Sequence, residues 1–222
     1  MNTKIVGVLG LGIFGRTVAE ELSRYGHEVI AIDFKSENVN QVANFVTSAS
    51  VGDFTDIQLL EHVGIQNCDI VVIATGSNLE SSVLAIMQCK KLKVPQIVAK
   101  ARSPIFEEVM YEVGVTTVIA PERDSGFRLA TKIMRNHIEE VLRLDDDTSV
   151  VEFSIPKEWV GKTLQELDLR RKYDINLVGI RQEKGEPMET LVVGEPLEAD
   201  ILIVAIATSH TFERYDYLNL LK

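Results

Sequence analysis

The stretch KIVGVLGLGIFG, residues 4–15, sets three glycines, Gly10, Gly12 and Gly15, directly after an apolar run. In a Gly-x-Gly-x-x-Gly junction the first glycine permits a tight turn and the second lets a pyrophosphate approach the main chain. The third lets helix and strand pack closely. The helix opening near Phe14 then aims N–H groups and the positive end of its dipole at the phosphates. A second apolar run, HEVIAID, closes on Asp33, 18 residues past Gly15, where a carboxylate can accept from ribose hydroxyls. The pattern predicts an adenine-nucleotide site around Gly10, Leu11, Gly12, Ile13, Phe14, Gly15, Asp33 and Lys35; a structural turn with an unrelated aspartate is the competing reading.

Six short apolar runs alternate with helical patterns up to residue 120: 4–9, 27–33, 44–51, 68–74, 96–101 and 116–120. They are apolar on both sides, as parallel strands covered by helices on both faces require. One intervening helix is expected to open at a capping box, Ser77-x-x-Glu80, to carry Leu79, Val83, Ile86 and Met87 on its apolar stripe, and to end before Pro95. Another should start at Ser103-Pro104, a cap followed by proline in the first turn. The fold class is α/β, a Rossmann-like doubly wound parallel sheet followed by a small α+β C-terminal lobe.

Beyond residue 125 a helical stripe of Phe127, Ala130, Met134, His137/Ile138 and Val141 predicts a long connecting helix over 126–142, ended by the acidic stretch LDDDTS, read as a solvated linker. In the last 73 residues VVEFSIP, INLVGIRQ and DILIVAIA read as strands, with a hairpin-like turn at EKGEP. KTLQELDLRRKY reads as one helix opened by the capping box Thr163-x-x-Glu166, and a terminal helix capped at Ser209 closes the chain. The expected division is 1–123, a connecting segment 124–144, and 145–222.

Composition narrows the function. With 23 basic against 33 acidic residues the net charge is −10, so attraction to a nucleic-acid backbone is not expected. The N-terminus lacks a basic region followed by a long apolar core, and no apolar run is long enough to span a bilayer, so a cytosolic location is expected. Cys68 and Cys89 show no C-x-x-C spacing and read as buried or half-buried thiols.

The strand ends supply further candidates, since ligands in such sheets bind outside the carboxyl ends. In GDFTD, Asp53 and Phe54 either hold the edge and face of an adenine or serve as a helix cap and a core aromatic. ATGSN contributes Ala74, Thr75, Gly76 and Asn78. Lys100 is either a cation for phosphate or a plain surface lysine, and Glu122 in APERD suits a phosphate edge only if a cation bridges it.

Taken together, GLGIFG, AID, GDFTD, ATGSN, AKARS, PERDSG and GKTLQELDLRRKYDINLVGIR resemble the cytosolic regulatory subunits of Ktr/Trk-type potassium uptake systems, whose unit is the RCK domain. The resemblance spans essentially the whole chain. It implies an N-terminal lobe that binds ATP, ADP or NAD(H), with Mg or Ca at Glu122. It also implies homodimers assembled into an octameric ring on the inner face of a membrane potassium channel or transporter subunit of KtrB/TrkH type. Relatives commonly carry arginine where this chain has Ile13, and Arg16 lies three residues on. By the same resemblance, Leu164, Arg170, Ile175 and Asn176 match positions that hold cyclic di-AMP between two C-terminal lobes, as an inhibitory ligand.

Two rival functions were weighed. A NAD(P)-dependent oxidoreductase needs a substrate domain and an acid/base group, and none of His27, His62, His137 or His210 falls in a recognisable catalytic setting. A redox-sensing transcription regulator needs a DNA-binding module that neither the charge nor the element order supplies.

Overall fold

In the computed structural model, residues 3–75, 78–134, 138–145, 147–190, 192–208 and 210–211 are described. The chain divides into two compact units, Met1–Asp124 and Ser125–Lys222.

The first unit alternates strand and helix: β1 Ile5–Leu9, α1 Ile13–Arg24, β2 Glu28–Asp33, α2 Ser36–Val42, β3 Ser48–Val51 and α3 Ile57–Val63. After a 3-10 turn at Ile65–Asn67 come β4 Ile70–Ile73, α4 Leu79–Lys91, β5 Gln96–Lys100, α5 Pro104–Val113 and β6 Thr117–Ile119. The strands pair in parallel in the order β3-β2-β1-β4-β5-β6. Both faces are covered. Val6 and Val8 of β1 face one core with Val29, Val72 and Ala19, while Leu9 faces the other with Ile73, Ile86 and Ile97. Burial on both faces is why the strands read as continuous apolar runs. The order reverses between β1 and β4, which opens a crevice beyond their carboxyl ends.

Helix α4 corrects two expectations. Its cap is Asn78, whose Oδ1 accepts from the Glu80 and Ser81 N–H groups; Ser77 lies outside the described residues. Its buried face is Ser82, Ala85, Ile86 and Cys89, whereas Met87 is exposed. Small residues let the helix approach the sheet, and the Ser82 hydroxyl donates to the Thr75 and Asn78 carbonyls. The cap at Ser103 with Pro104 in the first turn of α5 is as expected.

Helix α6, Pro121–Met134, begins within the first unit. The stripe over 126–142 does not make one long helix: Ile138–Arg143 is a strand, β7, antiparallel to β8, Thr148–Ser154. The acidic stretch between them is a hairpin turn rather than a linker. The Asp145 carboxylate accepts from the N–H groups of Asp147 and Thr148 at 2.9 and 2.7 Å. Six residues are too few to tell a strand from a helical stripe by pattern, and pairing with β8 decides for the strand. His137 lies outside the described residues.

The second unit continues with α7 Leu164–Leu167, α8 Leu169–Tyr173, β9 Asn176–Arg181 and β10 Leu202–Thr208, its sheet ordered β7-β8-β10-β9. The expected single helix is broken at Asp168, which takes the left-handed conformation at φ 43°. The capping box Thr163–Glu166 is present. After the EKGEP turn the return strand shrinks to one antiparallel bridge, Ile180 to Glu189. Phe153, Trp159, Leu167, Leu169, Ile175 and Ile203 build the core, where Trp159 meets Phe153 and Tyr173 edge-on. Of the expected terminal helix only His210 and Thr211 are described.

Candidate functional site

A cleft of about 300 Å³ opens at the carboxyl ends of the first unit's sheet. Its floor is the turn between β1 and α1. Gly10 has φ +96°, a left-handed conformation that favours glycine, and its N–H donates to the Ile32 carbonyl at 2.8 Å. Gly12 stands before α1, which no side chain caps. A Cβ built there meets no described atom within 4 Å, so the main chain is open to the cleft. Gly15 is confined instead: a Cβ would lie 1.9 Å from the Gly10 carbonyl oxygen. The second and third glycines therefore serve approach and packing respectively.

Asp33 is only 4% exposed. Its Oδ2 accepts from the Leu11 N–H at 2.6 Å and its Oδ1 from the Lys35 N–H at 2.8 Å. The carboxylate laces the end of β2 to the glycine turn, and each oxygen keeps a further lone pair for a ribose hydroxyl. Lys35 lies over the Phe34 ring at 5.5 Å.

At the other wall, Lys100 ends β5 and pairs with Glu122 in the first turn of α6. The Lys100 ammonium also lies 5.7 Å from the centre of the Phe14 ring, on the first turn of α1. The Lys100 hydrogen bond holds the Glu122 carboxyl below its ordinary value, against an opposing effect of burial, and nearby Arg102 adds to the lowering. A metal site needs several hard oxygen ligands. Glu122 is a single, ion-paired carboxylate, and no group of three or more metal-ligating side chains occurs among the described residues.

Of the residues singled out by sequence, Gly10, Gly12, Asp33, Lys35, Phe54, Ala74, Thr75, Lys100 and Glu122 line this cleft. Leu11 is buried in the core and offers the site only backbone, and Ile13 is 81% exposed. Asp53 is not drawn in: its Oδ1 accepts from the N–H and hydroxyl of Thr55, and Asp56 caps α3. Phe54 is a core aromatic that reaches the cleft wall. Asn78 caps α4, and Gly76 lies outside the described residues. Sequence reasoning passed over Phe34, Asn38 and Arg102, all lining residues. Arg102 was legible as the next residue but one after Lys100, since alternate residues of an extended chain share a side.

In the second unit the four expected ligand residues differ in exposure. Arg170 and Asn176 are exposed, Leu164 is partly buried against the core, and Ile175 is 1% exposed within it. Ile175 is thus committed to the core and offers no surface to an adenine. A cleft of about 420 Å³ in this unit is lined by Trp159, Lys162, Lys172 and Tyr173 and by none of the four.

Residues 6–121 match the TrkA-N domain and residues 150–216 the TrkA-C domain. The Ktr system potassium uptake protein C of Bacillus subtilis (strain 168) is 36% identical over 201 residues, 90% of this chain and 91% of its own. The crystal structure of the GsuK RCK domain matches with a TM-score of 0.66 at 16% identity, across 100% of this chain and 48% of that one. The GsuK channel bound to NAD matches with a TM-score of 0.65 at 17% identity, across 100% of this chain and 40% of that one. At those identities the two structures speak to fold alone.

Proposed function

The chain belongs to the TrkA family of potassium uptake proteins, and from that premise we propose that it is a nucleotide-sensing subunit of a cytosolic gating ring that regulates a membrane potassium transporter. The observation that carries this reading is the open Gly12 backbone in one cleft with Lys100 and Arg102, with Asp33 bonded to the turn. Backbone N–H groups and two cations suit phosphate, and a buried carboxylate suits a ribose. ATP, ADP and NAD(H) all present both groups. The GsuK channel, of similar fold, has been solved bound to NAD. Family membership sets aside the oxidoreductase alternative.

In this reading residues 1–123 are the nucleotide domain, 124–144 the connection and 145–222 the C-terminal domain. Homodimers assemble into an octameric ring against a KtrB/TrkH-like partner at the inner face of the membrane. No helix among the described residues is long and apolar enough to cross a membrane, which fits a partner that supplies the span. A Mg or Ca ion at Glu122 would require phosphate oxygens and a second subunit's carboxylate, since the described residues of one chain gather no group of three ligands. Cyclic di-AMP is the proposed inhibitory ligand of the second unit, with Arg170 and Asn176 of two copies each facing one half of a two-fold ligand.

The test is titration of the purified chain with ATP, ADP and NAD, joined to potassium uptake in cells co-expressing the transporter subunit. Saturable binding together with nucleotide-dependent uptake is expected. Binding of none of the three overturns the reading.

A further inference from the structure

The β5 end of the cleft carries an excess of positive charge that is only partly matched. Lys100, Arg102 and the uncapped N-terminus of α1 converge on the space beside Gly12, and the acid set among them is Glu122. Lys100 is the more confined partner, its side chain 13% exposed against 62% for Glu122. Its ammonium is fixed between the Phe14 ring and the Glu122 carboxylate. The α1 N-terminus and this ammonium line one cleft, so an anion held there by the helix shares the space with Lys100.

We infer that, with no divalent cation bound, Glu122 and the nucleotide phosphate compete for Lys100, so that Glu122 then lowers nucleotide affinity and phosphate binding requires Lys100 to pass from one anion to the other. This rests on the nucleotide reading of the cleft. The hand-over leaves no carboxylate stranded, because Arg102 lies on the same side and its field already acts on Glu122. Two cations and one carboxylate become balanced when a phosphate joins them. Glu122 occupies the first turn of α6, so the exchange also alters the charge at the start of that helix, where an acid interacts favourably with the helix dipole.

The competition has a sign that a metal-holding or purely structural role lacks. In EDTA, Glu122→Gln should bind ADP roughly twofold to fivefold more tightly than wild type, the range for removing one solvent-facing ion pair. Adenosine, with no phosphate, should gain nothing from the substitution. Lys100→Gln should bind ADP more weakly, and Lys100→Gln/Glu122→Gln no more tightly than Lys100→Gln alone, because the two side chains act through one contact. Calorimetric titration of the full chain with ADP, NAD and adenosine measures all of this, and thermal melts check that each variant folds. ADP binding that is unchanged or weaker in Glu122→Gln overturns the inference, as does an equal gain for adenosine. A wild-type chain that binds neither ADP nor NAD overturns the nucleotide reading itself, and this inference with it.

Discussion

At the scale of single residues, the three glycines of one motif answer to different forces, and substitution should separate them. Gly12→Val projects into open cleft, so nucleotide binding should be lost while the melting temperature holds within a degree or so. Gly15→Ala drives a methyl into the Gly10 carbonyl and should cost about 1–3 kcal/mol of stability, as overpacking does. Denaturant titration beside nucleotide titration distinguishes the two. Asp33→Ala removes the acceptor for two N–H groups and should cost stability as well as affinity, about 1–3 kcal/mol for each buried donor left unsatisfied. A loss of affinity alone would show that the lacing contributes nothing to folding. Burial pushes the Cys68 thiol up to about 11 and the Cys89 thiol up to about 12. The reactive thiolate is therefore scarce at pH 8, and a thiol reagent should label the native chain slowly and the unfolded chain fast.

Secondary elements explain where reading by pattern succeeded and where it turned by some degrees. The central strands β1, β2, β4 and β5 were legible because burial on both faces leaves an apolar run. Helix α4 was placed correctly along the chain but rotated about its axis, because its buried face is built from Ser82 and Ala85 rather than the largest residues available. Residues 138–143 were misassigned because six residues sample both periodicities, and strand pairing with β8 decided between them. The caps at Ser103 and Thr163 were legible since each is a local contact among three or four residues. Thr163→Ala should cost about 0.5–2 kcal/mol by removing the cap of α7. A larger effect is expected across the sheet, where Glu152 of β8, 6% exposed, pairs with Arg181 of β9 at 3.2 Å. Arg181→Met leaves a buried carboxylate without its cation and should cost about 3–5 kcal/mol, whereas replacing both by apolar residues should be far milder. A double-mutant cycle in urea measures the difference.

For the whole molecule, a net charge of −10 disfavours non-specific attraction to a nucleic-acid backbone. The proposed ring predicts that light scattering will find dimers or larger species that grow when nucleotide is added. The proposed C-terminal ligand predicts that Arg170→Ala will abolish cyclic di-AMP binding to the full chain and leave ADP affinity unchanged. Equal loss of both would place the arginine in folding rather than in recognition. Burial of Ile175 confines the apolar part of that contact to what Leu164 exposes.

Local chemistry was readable from sequence alone: the glycine turn, the acid closing β2, the caps at Ser103 and Thr163 and the apolar central strands each depend on neighbours a few residues apart. Tertiary structure decided which side chains share the cleft. Asp53 and Asn78 carry the right chemistry but bond within their own turns, while Phe34, Asn38 and Arg102 are brought in by where β2 and β5 end and α2 begins. It also decided the partner of Lys100. Lys100 and Glu122 are 22 positions apart in sequence, and no pattern within either segment encodes their pairing. That contact exists only because parallel β5 and β6 bring their carboxyl ends to one edge, and two opposite charges meeting there gain more by pairing than by facing water separately.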